Sequence, residues 1–586
     1  MYVDVVPNRK SPPAYLVRKS VREGDKVKKV TLGNVSFLSP EQLQDFRQIL
    51  KGDHVAPASF EDSFDILSTT PHGHVAADLG TIEKLKIPLL LGREDCPERR
   101  AALALIAGRI LSPGSKLALN RHLVNEHSTL GSELGLEPAP GVDFSEDDLY
   151  ESMRWLLERQ PRIENSLAKR HLGENATVLY DLSSSYYEGE TCELAKFGHN
   201  RDLKKGKKQI NYGLLTDVEG RPVKIDVYSG NTADPNTVAD QLDTITGAFG
   251  IEKAIFIGDR GMLTSKLLEE VAEDPRFEGF GWITSLKSVQ IRALVEAQDI
   301  HQPELFDERN LVEIDSDLYP GERLVVCRNP ELMRKRDHTR NDLLAATEKQ
   351  LEAIQSGTQR DRNPYHGKDK IARRVERECG KYRMLKHFIL EIEEDGFAFR
   401  RDQEKIENEA RLDGLYVIRS RNVSEAEMDA AGLVSNYKNL SKVESSFRQI
   451  KTCSLKVRPI FHYENDMVRA HIFICMLAYY VQWEMEHKLA PLLFRDEEPE
   501  AAQAARVSPV TEACRSTSAK AKEIEKKTEE GLPVYSFRGL LENLAGITRV
   551  ICRPKINGAE SFTKIPILTK LQERAFELLN VAVPKM

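Results

Sequence analysis

The chain has 586 residues, 40% of them hydrophobic and 30% charged, and a formal net charge of −7. That length corresponds to about four domains of roughly 150 residues, and the composition supports a sizeable core and excludes a globally disordered chain. The negative total argues mildly against nucleic acid, but local patches decide contacts in a long chain, and basic clusters stand at Arg201–Lys208, Lys368–Lys386 and in "VRKSVREGDKVKK" near the start.

Residues 1–85 read as a β-rich start available for DNA contact. "YLVRKSVREGDKVKKVTLGNV" predicts two strands around the turn Glu23-Gly24-Asp25. Residues 86–172 read as a helical module: "ERRAALALIAGRIL" and "SEDDLYESMRWLLERQPRIENSLAKR" carry apolar residues at helical spacing, with Ser145 as N-cap and Asp148 in the capping-box position. It suits either DNA binding or packing. Residues 173–287 change character. "NATVLYDL", "QINYGLLTD" and "RPVKIDVYSG" predict strands. A helix follows in "NTVADQLDTITGAFG", then a strand in "EKAIFIGDRG", a helix in "TSKLLEEVAED" and a strand in "GFGWITSL". The order is βββαβαβ. Residues 288–430 mix strands ("RLVVCRN", "HFILEIE", "DGLYVIRS") with a charged helical stretch, and read as an insertion. Residues 431–495 predict a helix over 434–451 and a buried apolar helix around His471–Trp483. The run "AHIFICMLAYYVQW" is shorter than the about 20 residues of a membrane span. Residues 496–586 hold a polar link and a small strand-and-helix piece.

The eight cysteines are scattered without a C-x-x-C pair, so a zinc knuckle or thioredoxin-like site is unsupported. No signal-peptide pattern is visible, and a reducing cytoplasm is the expected home.

Three acids carry the chemistry. Asp181 interrupts the apolar run "VLYDLSSSYYEG", and a buried carboxylate is costly unless it is paired or binds a metal. Asp259 follows the fourth strand. If the first and fourth strands are neighbours, the two carboxylates sit side by side and raise each other's pKa unless a hard divalent cation joins them. The third piece is "YKNLSKVESSFRQIK". Leu440, Val443, Phe447 and Ile450 form an apolar stripe, and Tyr437, Glu444 and Lys451, each seven apart, form one row beside it. Such a row suits a phosphate-and-metal site, and equally a solvated surface heptad. His199 and Asp202 read as loop residues, Asp226 as solvent-facing and Trp282 as core.

The order βββαβαβ–insertion–α, with acids on strand one, after strand four and on the last helix, resembles the RNase H-like catalytic core of DDE transposases. The row from Tyr437 through Glu444 to Lys451 resembles the Y-x2-R-x3-E-x6-K signature of a group of bacterial insertion-sequence transposases. "GNTADPNT", "IGDRGM" and "RPIFHYENDMVRAHIFICMLAY" are similar to segments of such proteins. The family arginine is Leu440 here. The resemblance implies an α/β fold: an RNase H-like mixed-sheet core, a mixed β/helical insertion between the last core strand and the last core helix, and N-terminal β-rich and helical modules. It implies Asp181, Asp259 and Glu444 as catalytic metal ligands for Mg2+, with Mn2+ substituting. Tyr437 and Lys451 would hold DNA phosphate, and Lys438, Lys442 or Arg448 would take the vacant arginine role. The partners implied are double-stranded element ends and target DNA, bound by a homodimer assembled on DNA, with no membrane, in a nucleoid-associated bacterial cytoplasm. The expected activity is cleavage at element ends and transfer of the 3′-OH strands into target DNA. Three rivals stand beside it. One is a metal-dependent nuclease without strand transfer. Another is an aspartyl phosphotransferase, for which position 183 offers Ser where a second acid belongs. The last is a non-catalytic DNA-binding relic, against which all three acids are present.

Overall fold

A computed structural model describes residues 1–9, 11–52, 63–125, 127–136, 144–199, 201–202, 204–297, 300, 306–504, 506–555 and 559–584. They fall into two compact units, residues 1–70 with 548–567, and residues 71–547 with 568–584.

In the first unit β1 (Tyr2–Val6), β2 (Ala14–Glu23) and β3 (Lys26–Asn34) form an antiparallel meander. The β2–β3 turn uses Gly24 at φ +65°, a backbone glycine adopts without strain. A helix at Pro40–Lys51 starts from a Ser39–Gln42 capping box. β4 (Phe64–Pro71) belongs to a second small sheet.

The second unit is built on one eight-stranded mixed sheet. Its core strands are β5 (Ala176–Tyr186), β6 (Gln209–Asp217), β7 (Pro222–Ser229), β8 (Ala254–Ile257) and β9 (Gly281–Ser285). They lie in the order β7-β6-β5-β8-β9. β6 is antiparallel to both neighbours, whereas β5–β8 and β8–β9 are parallel. This is the RNase H-like arrangement, and it makes the first and fourth core strands neighbours. Every residue of β6 is buried, as expected for a central strand covered on both faces.

β10 (Leu311–Ile314) and β11 (Arg323–Arg328) begin the insertion; β12 (Phe388–Ile392) and β13 (Phe397–Arg401) form a separate hairpin; β14 (Leu415–Arg421) closes it. β14 pairs antiparallel with β9, and β11 and β10 follow outward, so part of the insertion extends the core sheet. The rest has its own apolar cluster: Leu344 and Leu351 of the helix Pro330–Thr358, Ile371 and Val375 of the helix Lys368–Cys379, and Phe388 and Phe397 of the hairpin. β15 (Thr548–Pro554) and β16 (Phe562–Lys564) complete the small sheet with β4.

Three local expectations change. Residues 73–84, expected in the β-rich start, form a helix whose Val75, Ala77 and Ile82 are buried. The helix expected over 434–451 is three pieces: Ala430–Lys438, Leu440–Arg448 and a π turn at Gln449–Cys453. Asp226 is half-buried rather than solvent-facing, because Gln241 Nε2 donates to it at 2.7 Å and Lys224 pairs with it. Trp282 is buried, with the Arg419 guanidinium 5.0 Å from its ring. The apolar helix Asn465–Lys488 packs against β7 and the helices Pro97–Leu111 and Glu146–Glu158. Among the described residues no single helix is long and apolar enough to cross a membrane.

Candidate active site

Each acid comes from a different element of the second unit. Asp181 lies in β5 opposite Leu214, and the Leu182 N–H donates to its Oδ1 at 2.8 Å. Burial pushes its pKa up to about 6; the charges of Glu444 and Asp259 add to the rise, while the Leu182 N–H and Arg201 oppose it. Asp259 follows β8, where the Gly258 N–H donates to Ile283 O at 3.4 Å and the chain turns. Glu444 is exposed on the helix Leu440–Arg448, which packs against β5 through its opposite face. That face is held by buried Val443, by Phe447 against the Tyr212 ring at 5.7 Å, and by Ser446, whose Oγ accepts from Tyr479 OH at 3.0 Å.

All three acids line one cleft of about 630 Å³. Among the described residues no Lys, Arg or His forms an ion pair with any of them. Arg201, whose charge favours the Asp181 carboxylate, is itself paired with Asp234 at 2.7 Å. Among the described residues no three His, Cys, Asp or Glu side chains are gathered tightly enough to ligate an ion as they stand. The donor set itself, oxygen only and carrying unneutralised charge, fits a hard divalent cation.

Tyr437, at the end of the preceding helix, reaches the same cleft. Its hydroxyl donates to Asp259 Oδ1 at 3.4 Å and lies 2.8 Å from Ser285 Oγ of β9. Burial pushes the phenol up to about 12, so it stays a donor at working pH. Arg448 is exposed on the cleft wall. Lys451 lines the cleft too, with its Nζ 3.4 Å from Asp202 Oδ1. Lys442 does not: its Nζ donates to Val218 O at 3.0 Å and pairs with Glu219 at 3.1 Å, turning it into different cavities. Lys438 lines the cleft but spends its ammonium on the carbonyls of Val510 at 2.9 Å and Thr511 at 3.4 Å. Leu440, expected on the buried stripe, is half-buried and lines the cleft.

Asp202 is the residue that sequence reasoning undervalued. Its side chain is 2% exposed; it accepts from the Tyr186 N–H at 3.0 Å and pairs with Lys451 and Arg458. The signal was one acid inside the basic run "GHNRDLKKGKK". His199 is exposed.

Residues 190–481 match the family model described as the transposase DDE domain. This stretch belongs to that family, and the chain carries a DDE transposase domain. The match includes Asp259 and Glu444, and Asp181 lies just before its start. Domains of this family generally work with divalent metal ions. Among solved structures, the chain is similar to the cryo-EM structure of a piggyBac transposase synaptic complex with hairpin DNA. The identity is 9% and the TM-score 0.36, over 81% of this chain and 76% of that one. No curated protein matches.

Proposed function

We propose that the protein is a DNA transposase that cleaves the ends of its insertion sequence and joins the freed 3′-OH strands to target DNA. Asp181, Asp259 and Glu444 would hold Mg2+, with Mn2+ able to substitute. The observation that carries this reading is one cleft lined by Asp181, Asp259 and Glu444, none of them ion-paired among the described residues, in a chain whose residues 190–481 match the transposase DDE domain. When bound, divalent ions supply activation of water or a DNA 3′-OH and stabilisation of the leaving oxygen.

The chain's own residues do the rest. Asp181 on β5 and Asp259 just after the paired strand β8 face one cleft, and the helix Leu440–Arg448 carries the third acid to it. Tyr437 orients the Asp259 carboxylate through its hydroxyl. Arg448, exposed on the wall, holds a DNA phosphate, as does Lys451 where substrate displaces its contact with Asp202. Phosphate contacts of this kind position DNA without reading its sequence. The partners are double-stranded element ends and target DNA, held by a homodimer assembled on DNA, in a bacterial cytoplasm.

The test is cleavage and joining of a linear duplex carrying the DNA that flanks the coding region, with a target plasmid. Mg2+ or Mn2+ should support both steps, Ca2+ binding alone, and a chelator neither. Asp181→Asn, Asp259→Asn and Glu444→Gln should each lower cleavage by more than about 100-fold. Full cleavage in chelator, or near wild-type cutting by Glu444→Gln, overturns the scheme. Cleavage without joined product selects a nuclease instead.

A further inference from the structure

A second cavity, of about 710 Å³, shares Arg458 with the acidic cleft. Its floor is cationic and buried. Lys116 is 4% exposed and Arg109 7% exposed, and among the described residues neither has a carboxylate partner. Lys116 Nζ lies 3.0 Å from His462 Nε2 and 3.2 Å from His471 Nδ1. His471 Nε2 lies 3.1 Å from Val457 O, so its proton sits there and Nδ1 is left to accept from the lysine. Burial, reinforced by the Lys116 charge, pushes His462 down to about 3 and His471 well below its usual value, so both rings are neutral acceptors. Burial, with the Arg109 charge adding to it, lowers Lys116 itself to about 7, so near neutral pH its amine holds the extra proton only part of the time, with imidazoles and no carboxylate around it among the described residues. A buried charge of this kind is costly without a counter-ion. The cavity's acids, Asp147, Glu151 and Glu464, are all exposed, and Glu464 is paired with Arg154 at 3.3 Å.

The mouth has a different character. Phe461 is 61% exposed and Tyr463 66% exposed, and both line the cavity. Their loop is fastened to the extension of the strand that carries Asp181. The Ile460 N–H donates to Tyr186 O at 3.3 Å, the Glu188 N–H to Ile460 O at 3.0 Å, and Tyr187 OH to His462 O at 3.1 Å. Two exposed rings on an anchored loop beside a cationic floor form the pattern that binds unpaired nucleotides, because rings stack on any base and cations take the phosphates. Base pairs inside a duplex have no free face to offer.

We infer that this cavity receives one or two unpaired nucleotides of the DNA strand leaving the acidic cleft, with Lys116, Arg109 and Lys456 holding phosphate and Phe461 and Tyr463 stacking on bases. The inference rests on the reading of the chain as a DNA transposase, and its test separates the two. The full-length protein is titrated against a fluorescent blunt duplex and against the same duplex with a short single-stranded tail, over a series of salt concentrations. Wild type should prefer the tailed DNA. Phe461→Ala and Tyr463→Ala should each weaken tailed binding by about 5- to 100-fold and leave blunt binding unchanged. Lys456 has φ +47°, so Lys456→Asn removes its charge while keeping a residue that tolerates that backbone. It should lower the salt slope on tailed DNA by about 0.7. Lys116→Met, checked for folding by thermal melt, should lower the slope by a smaller amount, because Lys116 is only partly charged near neutral pH. Wild type that binds blunt and tailed DNA equally overturns the inference alone, as do variants that match wild type on tailed DNA. Wild type that binds neither DNA overturns the transposase reading itself.

Discussion

Lys451 and Asp202 form a buried ion pair at 3.4 Å across the wall of the acidic cleft, and Arg458 joins the same carboxylate. The two lysine and arginine charges therefore depend on an acid from the loop after β5. Asp202→Ala should destabilise the fold by about 2–4 kcal/mol, because it leaves two partly buried cations without a counter-charge. Chemical denaturation measures it. A loss under 1 kcal/mol would reduce Asp202 to a surface loop residue.

Asp181 carries a cost in the absence of a cation. Its folded pKa of about 6 lies above the ordinary 3.8. Its favourable contribution is therefore full below pH 3.8 and is lost as pH rises through about 6. Asp181→Asn keeps the acceptor for the Leu182 N–H and removes the charge. At pH 7.5 in chelator it should raise stability by about 1–2 kcal/mol. Added Mn2+ should then raise the melting temperature of wild type more than that of the variant. Equal melting temperatures in chelator would remove the burial argument.

Tyr437 touches Asp259 rather than standing free for phosphate. Tyr437→Phe should lower the single-turnover cleavage rate by about 10- to 100-fold, the usual range for a residue that orients a ligand. DNA affinity and its salt slope should not change. A weaker affinity with an intact rate would return Tyr437 to the phosphate role.

Asp78 in the helix Gly73–Lys84 is fully buried, and among the described residues neither of its carboxylate oxygens has a hydrogen-bond partner. Burial holds its pKa well above the usual range, so the proton is retained in the fold and released on unfolding. Its stabilising contribution is present below the ordinary carboxylate range and is lost as pH rises toward the folded value. Asp78→Ala should stabilise the protein by about 1 kcal/mol or more, and the gain should be larger at pH 9 than at pH 6. Denaturant midpoints at the two pH values decide it; a destabilised variant at both would expose a packing role.

The core strands were legible because their patterns are local. "NATVLYDL", "QINYGLLTD" and "EKAIFIGDRG" each announce a buried strand, and the order βββαβαβ leads to β5 and β8 lying together. The acids follow from that adjacency. The fate of the cations was not legible, since it depends on contacts far along the chain. Lys442 is offered by the sequence for the vacant arginine role, yet Gly220, at φ +79°, brings the 218–220 turn against it and Val218 O accepts from its ammonium. Lys438 is taken by carbonyls some 70 residues away, and Asp202 is buried by residues 249 and 256 positions later. Periodicity correctly placed Val443, Phe447 and Ile450 on the buried face. It could not show that Leu440 lies half-buried on the cleft wall.

The pairing of β14 with β9 bears on biosynthesis. β9 has its hydrogen-bonding groups satisfied by β8 on one side and by β14 on the other, and β14 is made about 130 residues later. While the ribosome translates the insertion, the outer edge of a fully buried strand has no native partner. Unpaired apolar edges are templates for pairing with other chains. Nascent chains that stall before Leu415 should therefore be sticky and bind chaperones, whereas chains that have passed Arg421 should not.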